Sequence, residues 1–158
     1  SQMHGILVEG DNDFWYESGA VQDVVIRNNT FQNIGFGAAN GFPLFASPKL
    51  TKEQKTGEGH YHRNIVFSGN TIRSFNGNVA DAKSVENLTI ENNKVEYSAD
   101  YPKAKPGASV RLVYCRNVVI KNNTAVGFDA ALGVEASNDC ERIQVGSNTG
   151  FDAGSTAR

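Results

Sequence analysis

The nine residues DVVIRNNTF, from Asp23 to Phe31, recur along the chain as NIVFSGNTI (Asn64 to Ile72), NLTIENNKV (Asn87 to Val95) and NVVIKNNTA (Asn117 to Ala125). A fifth copy, ERIQVGSNT from Glu141 to Thr149, aligns after its frame is moved by one residue. Within each copy apolar residues alternate: Val24 and Ile26, Ile65 and Phe67, Leu88 and Ile90, Val118 and Ile120, Ile143 and Val145. Alternation marks a strand with one buried face. Three residues after the second apolar position stands an Asn every time, at 29, 70, 93, 123 and 148. Asn tolerates left-handed backbone angles and bonds its own neighbourhood, so it predicts a bend at the same place in each copy.

A second short strand precedes each copy, at Gly5-ILVE, Phe42-PLFA, Val79-ADA, Val110-RLVY and Leu132-GVEA. Successive marker Asn residues are 41, 23, 30 and 25 residues apart. A period of about 22 to 25 residues, lengthened by loops at fixed corners, is what a parallel β-helix requires. Strands of successive coils there stack about 4.8 Å apart and like residues form columns. An amphipathic helix is excluded, because no window keeps an i, i+3, i+4 apolar stripe and β-branched residues crowd the repeats. A β-sandwich also alternates but does not explain the recurring Asn corner. Crossovers between parallel strands are right-handed. The expectation is an all-β, right-handed parallel β-helix of about five coils, pectate-lyase-like, with residues 1–158 forming a single domain.

The rest of the composition narrows the function. The 158 residues are 39% hydrophobic and 20% charged, enough apolar content to bury a core. A net charge of −2 gives no electrostatic case for nucleic acid or an anionic membrane as partner. No apolar run approaches the roughly 20 residues of a membrane helix. The first residues, Ser1 to His4, do not read as a signal peptide. No strand or helix before Gly5 reads as a cap, and Phe151-DAGSTAR forms no amphipathic helix, so the chain reads as a fragment of a longer solenoid.

Function on a solenoid sits on inserted loops, since the coil body is occupied with packing. Gly10-DNDFWYESGAV-Gln22 and Ser47-PKLTKEQKTGEGHYH-Arg63 fall at the same corner of adjacent coils, whereas Glu96-YSADYPKAKPGA-Ser109 falls at another. The first loop holds Phe14, Trp15 and Tyr16 between Asp11, Asp13 and Glu17. Aromatic planes stack on the apolar face of a sugar and carboxylates accept bonds from its hydroxyls. The same aromatics would also serve to pin the loop to the coil. His60 and His62, at i and i+2 before a strand, lack a third metal ligand and suit hydroxyl binding or loop capping better.

An outward column is expected from Glu9, Phe45, Asp81, Val113 and Glu135. Stacking alone puts Glu9 and Asp81 on the order of 10 Å apart. That is near the roughly 6.5–9.5 Å between acid and base of an inverting glycosidase. Cys115 and Cys140 hold equivalent positions in adjacent coils, with Cα atoms expected about 5 Å apart. Both a disulfide and two buried free thiols fit that spacing. The sequons at Asn28, Asn87 and Asn122 arise from the repeat itself.

Three stretches, His4-GILVEGDNDFWYESGAVQDVVIRNNTF-Gln32, Gly59-HYHRNIVFSGN-Thr71 and Asp81-AKSVENLTIENN-Lys94, resemble glycoside hydrolase family 110. The resemblance covers about residues 4 to 125 and is most specific at Trp15 to Gly19 with Asp23 and Val24. It implies an inverting bacterial exo-α-1,3-galactosidase acting on galactose-containing host glycans, secreted or periplasmic, with no cofactor or metal. The family's enzymes are several times longer, and their acidic pair is implied to lie in upstream coils. The chain then corresponds to the C-terminal part of the family's β-helix. Its partners would be those upstream coils, or further copies joined through open solenoid ends. Glu9 and Asp11 are the candidate catalytic carboxylates here. Asp13, Trp15, Tyr16, Glu17, His60, His62 and Arg63 are the candidate substrate-binding residues. A non-catalytic carbohydrate-binding or structural β-helix segment is the alternative reading.

Overall fold

The computed structural model describes residues 3–11, 19–37, 40–50, 59–104 and 107–153. Among these, every regular element is a strand and every strand pairing is parallel. The first sheet is ordered β1 (Ile6–Val8), β4 (Leu44–Ala46), β7 (Ala80–Lys83), β10 (Ala108–Val113), β13 (Leu132–Ala136), β15 (Phe151–Asp152). The second takes β2 (Gln22–Arg27), β5 (His62–Ser68), β8 (Val85–Glu91), β11 (Arg116–Lys121) and β14 (Glu141–Gly146). The third takes β3 (Thr30–Gln32), β6 (Thr71–Ser74), β9 (Lys94–Tyr97) and β12 (Thr124–Val126). The chain visits the three sheets in rotation and returns each time beside its previous strand, as in a parallel β-helix. No helix among the described residues is long and apolar enough to cross a membrane.

The core follows from the alternation. Ile65 pairs with Leu88 and Phe67 with Ile90, and these pair in turn with Val118 and Ile120. All six are at most 1% exposed. Each such side chain contributes about 1.5–3 kcal/mol by leaving water. Small residues surround a larger one in the first sheet, where Ala46, Ala82, Leu112 and Ala136 stack in register.

Three expectations change at this level. The third sheet was not foreseen; its strands are three or four residues long and follow the marker Asn directly. The left-handed bend falls one residue before the marker Asn, at Asn28, Gly69, Asn92, Asn122 and Ser147, with φ of 57, 61, 56, 55 and 56°. The marker Asn residues form a ladder instead, buried at Asn70, Asn93 and Asn123. Asn70, Asn93, Asn123 and Asn148 each accept, on Oδ1, the backbone N–H of the preceding Asn at 2.9–3.0 Å. Each gives Nδ2–H to a carbonyl of the preceding coil, at Ile26, Phe67, Ile90 and Ile120. Finally, the fifth copy needs no frame shift: Val118 pairs with Ile143 and Ile120 with Val145. The copy starts at Arg142, whose φ of 55° matches Asp23, Asn64, Asn87 and Asn117.

The outward column of the first sheet is also corrected. Its register is Leu7, Phe45, Asp81, Arg111, Glu135. Glu9 and Val113 each lie two residues further along the chain than the column positions, held by Leu7 and Arg111.

Candidate functional site on the outer face of the first sheet

The two long loops do leave and re-enter at one corner. Before them, Asp11 forms a parallel bridge with Lys49; after them, Gln22 pairs with Arg63. Asp13, Trp15, Tyr16 and Glu17 lie outside the described residues. At the corner Lys49 Nζ sits 3.5 Å from Asp11 Oδ2 and 3.9 Å from Glu9 Oε1. Asp11 is buried and Glu9 half-buried. Gly10 between them is a close-approach position: a Cβ there would lie 2.4 Å from the Tyr61 ring. Its missing side chain therefore lets the Tyr61 ring pack against the backbone between the two candidate carboxylates.

His60 is buried and stacks on Tyr114 with ring centroids 4.6 Å apart. Burial, aided by Arg116, lowers its pKa against the pull of Glu86 and Glu141. His62 is wholly buried and points into the coil. Its Nδ1 accepts the Val21 N–H at 3.1 Å, and burial lowers its pKa to about 4. Arg63 is exposed in an outward column with Gln22, Glu86, Arg116 and Glu141. Arg116 holds Glu86 there at 2.6 Å, which keeps that carboxyl below its ordinary range.

Residues not singled out as ligands from the sequence extend the site across the sheet. The His4 ring stacks on Phe45 at 3.8 Å, and its Nδ1 accepts the Phe42 N–H. Burial lowers the His4 pKa while Asp81 and Glu9 pull it back up. Beside it, burial raises the Asp81 carboxyl above its ordinary range, opposed by Arg111 and His4. Arg111 Nη2 meets Asp81 Oδ2 at 3.2 Å, and the guanidinium lies 4.4 Å over the Phe42 ring. The buried Arg111 Nε has no hydrogen-bond partner. Arg111 also lines a shallow groove with Val113, Glu135 and Ser137. The sequence signal for Arg111 was the alternation Val110, Leu112, which matches Ala80, Ala82 and places Arg111 beside Asp81.

This face thus offers stacking planes, a guanidinium that lies over an aromatic ring, and carboxylates held by cations. That combination suits a neutral polyhydroxylated ligand. Among the described residues no three His, Cys, Asp or Glu side chains gather as a metal site.

No family model matches the chain. Curated relatives do. Over 132 residues it is 38% identical to α-1,3-galactosidase B of Bacteroides thetaiotaomicron, covering 80% of this chain and 21% of that protein. It is 31% identical over 140 residues to α-1,3-galactosidase A of Bacteroides fragilis, covering 86% and 22%. Against α-1,3-galactosidase B of Akkermansia muciniphila it is 34% identical over 127 residues, covering 78% and 16%. The chain spans about a fifth of the length of these relatives.

Proposed function

We propose that this chain, a homologue of a segment of the bacterial α-1,3-galactosidases, is part of a secreted or periplasmic glycoside hydrolase that removes terminal α-linked galactose with inversion. The observation that carries the reading is the alignment of four-fifths of the chain with those enzymes. The scaffold is taken as a right-handed, pectate-lyase-like β-helix of about five coils, adjoined by further coils of the same enzyme. The sugar lies on the outer face of the first sheet and the adjoining loop corner. Asp81 and Arg111 bind its hydroxyls and the His4–Phe45 stack supplies an apolar plane, while Asp13, Trp15, Tyr16 and Glu17 stay candidate ligands by residue type alone. Arg63 lines the rim, while His60 and His62 hold the corner in shape.

Inversion needs one carboxylic acid to protonate the glycosidic oxygen and one carboxylate to activate water on the opposite face, roughly 6.5–9.5 Å apart. Glu9 and Asp11, set beside the Lys49 ammonium, are this chain's candidates for the carboxylate part.

Trp15 is the chain's only Trp, so its fluorescence reports on the loop. Titration with galactose and with Gal-α1,3-Gal should give a saturable change with both. No change with either sugar at millimolar concentration overturns the reading. Galactose release from the disaccharide by Glu9→Ala and Asp11→Ala then separates chemistry from binding. Collapse of release with binding retained supports hydrolysis; a pure binding module shows no release to lose.

A further inference from the structure

At the corner between the first and second sheets, an inward column runs Val21, His62, Val85, Cys115, Cys140, fixed by the pairing of the residues that follow each of them. Backbone N–H groups at this bend point along the solenoid axis and need acceptors from the next coil. Val21 N–H finds His62 Nδ1, Val85 N–H finds Cys115 Sγ, and Cys115 N–H finds Cys140 Sγ at 3.3 Å. The two cysteines are free thiols, buried, and within hydrogen-bonding reach of each other. In-register neighbours on adjacent parallel strands are about 4.8 Å apart, inside the Cα separation a disulfide tolerates.

We propose that Cys115 and Cys140 are a paired modification site that closes into a cross-coil disulfide when the protein meets a peroxide. Cys140 is the attacking sulfur. It lies nearer the surface, at 6% exposure against 0% for Cys115, and the Cys115 thiol and N–H stabilise its thiolate. Cys115, whose sulfur lies 3.4 Å from the Ala82 and Val113 carbonyls, is held as the protonated partner. In the first step the Cys140 thiolate attacks one peroxide oxygen, the O–O bond breaks, and hydroxide leaves to be protonated to water. The Cys140 sulfur then carries OH. In the second, the Cys115 sulfur attacks Cys140 Sγ and expels that hydroxide, which leaves with the Cys115 proton as a second water. Two thiols are oxidised and one hydrogen peroxide is reduced to two waters.

Closure ties together two coils through a loop of 25 residues and resists their separation. The test treats the folded chain with hydrogen peroxide, denatures it, alkylates it and weighs it intact. The untreated chain should take two alkyl groups. The treated chain should take none, weigh about 2 Da less than the reduced protein, stay monomeric, and regain both thiols with a reductant. Its urea midpoint should move up, and the reductant should reverse the shift. Two alkyl groups after treatment, a gain of oxygen mass without closure, or a disulfide-linked dimer each overturn the proposal. Cys115→Ser should leave Cys140 carrying oxygen or pairing between molecules. If that variant fails to fold, the wild-type mass alone decides.

Discussion

His62 Nδ1 accepts the backbone N–H of Val21, 41 residues earlier, at 3.1 Å inside the coil. The bond requires a neutral imidazole, and burial holds the folded pKa at about 4 against 6.5 for a free histidine. Between those values the unfolded chain binds more protons than the folded one, so stability rises with pH across that window. The contribution is complete above pH 6.5 and is lost as pH falls through about 4. It amounts to roughly 3 kcal/mol. His4 and His60 are shifted in the same direction, so the difference from a His62→Gln variant isolates this residue. Urea midpoints followed from neutral to acid should fall less steeply for His62→Gln than for wild type. Equal slopes would show that His62 takes up its proton in the fold as readily as in the unfolded chain.

The buried Asn ladder predicts a strong effect at its centre. Asn93→Ala leaves the Asn70 N–H and the Phe67 carbonyl without their partners, and should cost about 2–4 kcal/mol. Asn93→Asp keeps an acceptor but buries a charge facing the Phe67 carbonyl, so it should be worse at neutral pH and recover partly in acid. Denaturant unfolding of both variants at two pH values measures the pair. An Asp variant as stable as wild type at neutral pH would contradict the assigned donor.

Asn87 sits in a second, exposed ladder, giving Nδ2–H to Asn64 Oδ1 at 2.9 Å with φ of 58°. Here backbone angle outweighs the hydrogen bond. Asn87→Gly should therefore be milder than Asn87→Ala, the reverse of the order expected inside an ordinary strand, by about 1 kcal/mol. Thermal melts of the two variants give the sign directly.

Removing the guanidinium from the outer face should show twice. Arg111→Ala takes away the cation that restrains Asp81, so that carboxyl should titrate higher still, as read by carboxyl-carbon NMR. If this face holds the sugar, the same variant should weaken galactose binding at least roughly tenfold. Arg111→Lys should rescue the first effect better than the second, because an ammonium supplies charge without the planar fork. Unchanged affinity in both variants would move the sugar site off this sheet.

The strands of the second sheet were readable because alternation and the Asn marker repeat in phase over the whole chain. The third sheet was not. Its strands, such as Thr30–Gln32, are too short to show a period, and the bend before them breaks the one already running. Register in the first sheet was harder still, since Gly5-ILVE and Val110-RLVY alternate equally well in two alignments that differ by two residues. Only the pairing of Leu7 with Phe45 and of Arg111 with Asp81 selects one. The same slip hid Arg111 and gave Glu9 a place in the Asp81 column that Leu7 occupies. At the corner, His60 and His62 were sensible sugar ligands by residue type. The fold needs a side-chain acceptor for the Val21 N–H, and that requirement turns His62 inward.

The Asn amides all face one way along the axis, each receiving from the coil before it. No coil therefore completes its own hydrogen bonding at that corner; the next one does it. A chain leaving the ribosome from its N-terminus would carry its newest coil always unfinished, with the Asn29 N–H waiting for Asn70 to be synthesised 41 residues later. Insertions that delay the following Asn, like the loop between those two, lengthen that wait without altering the finished stack. Each coil is thus completed by sequence that lies C-terminal to it.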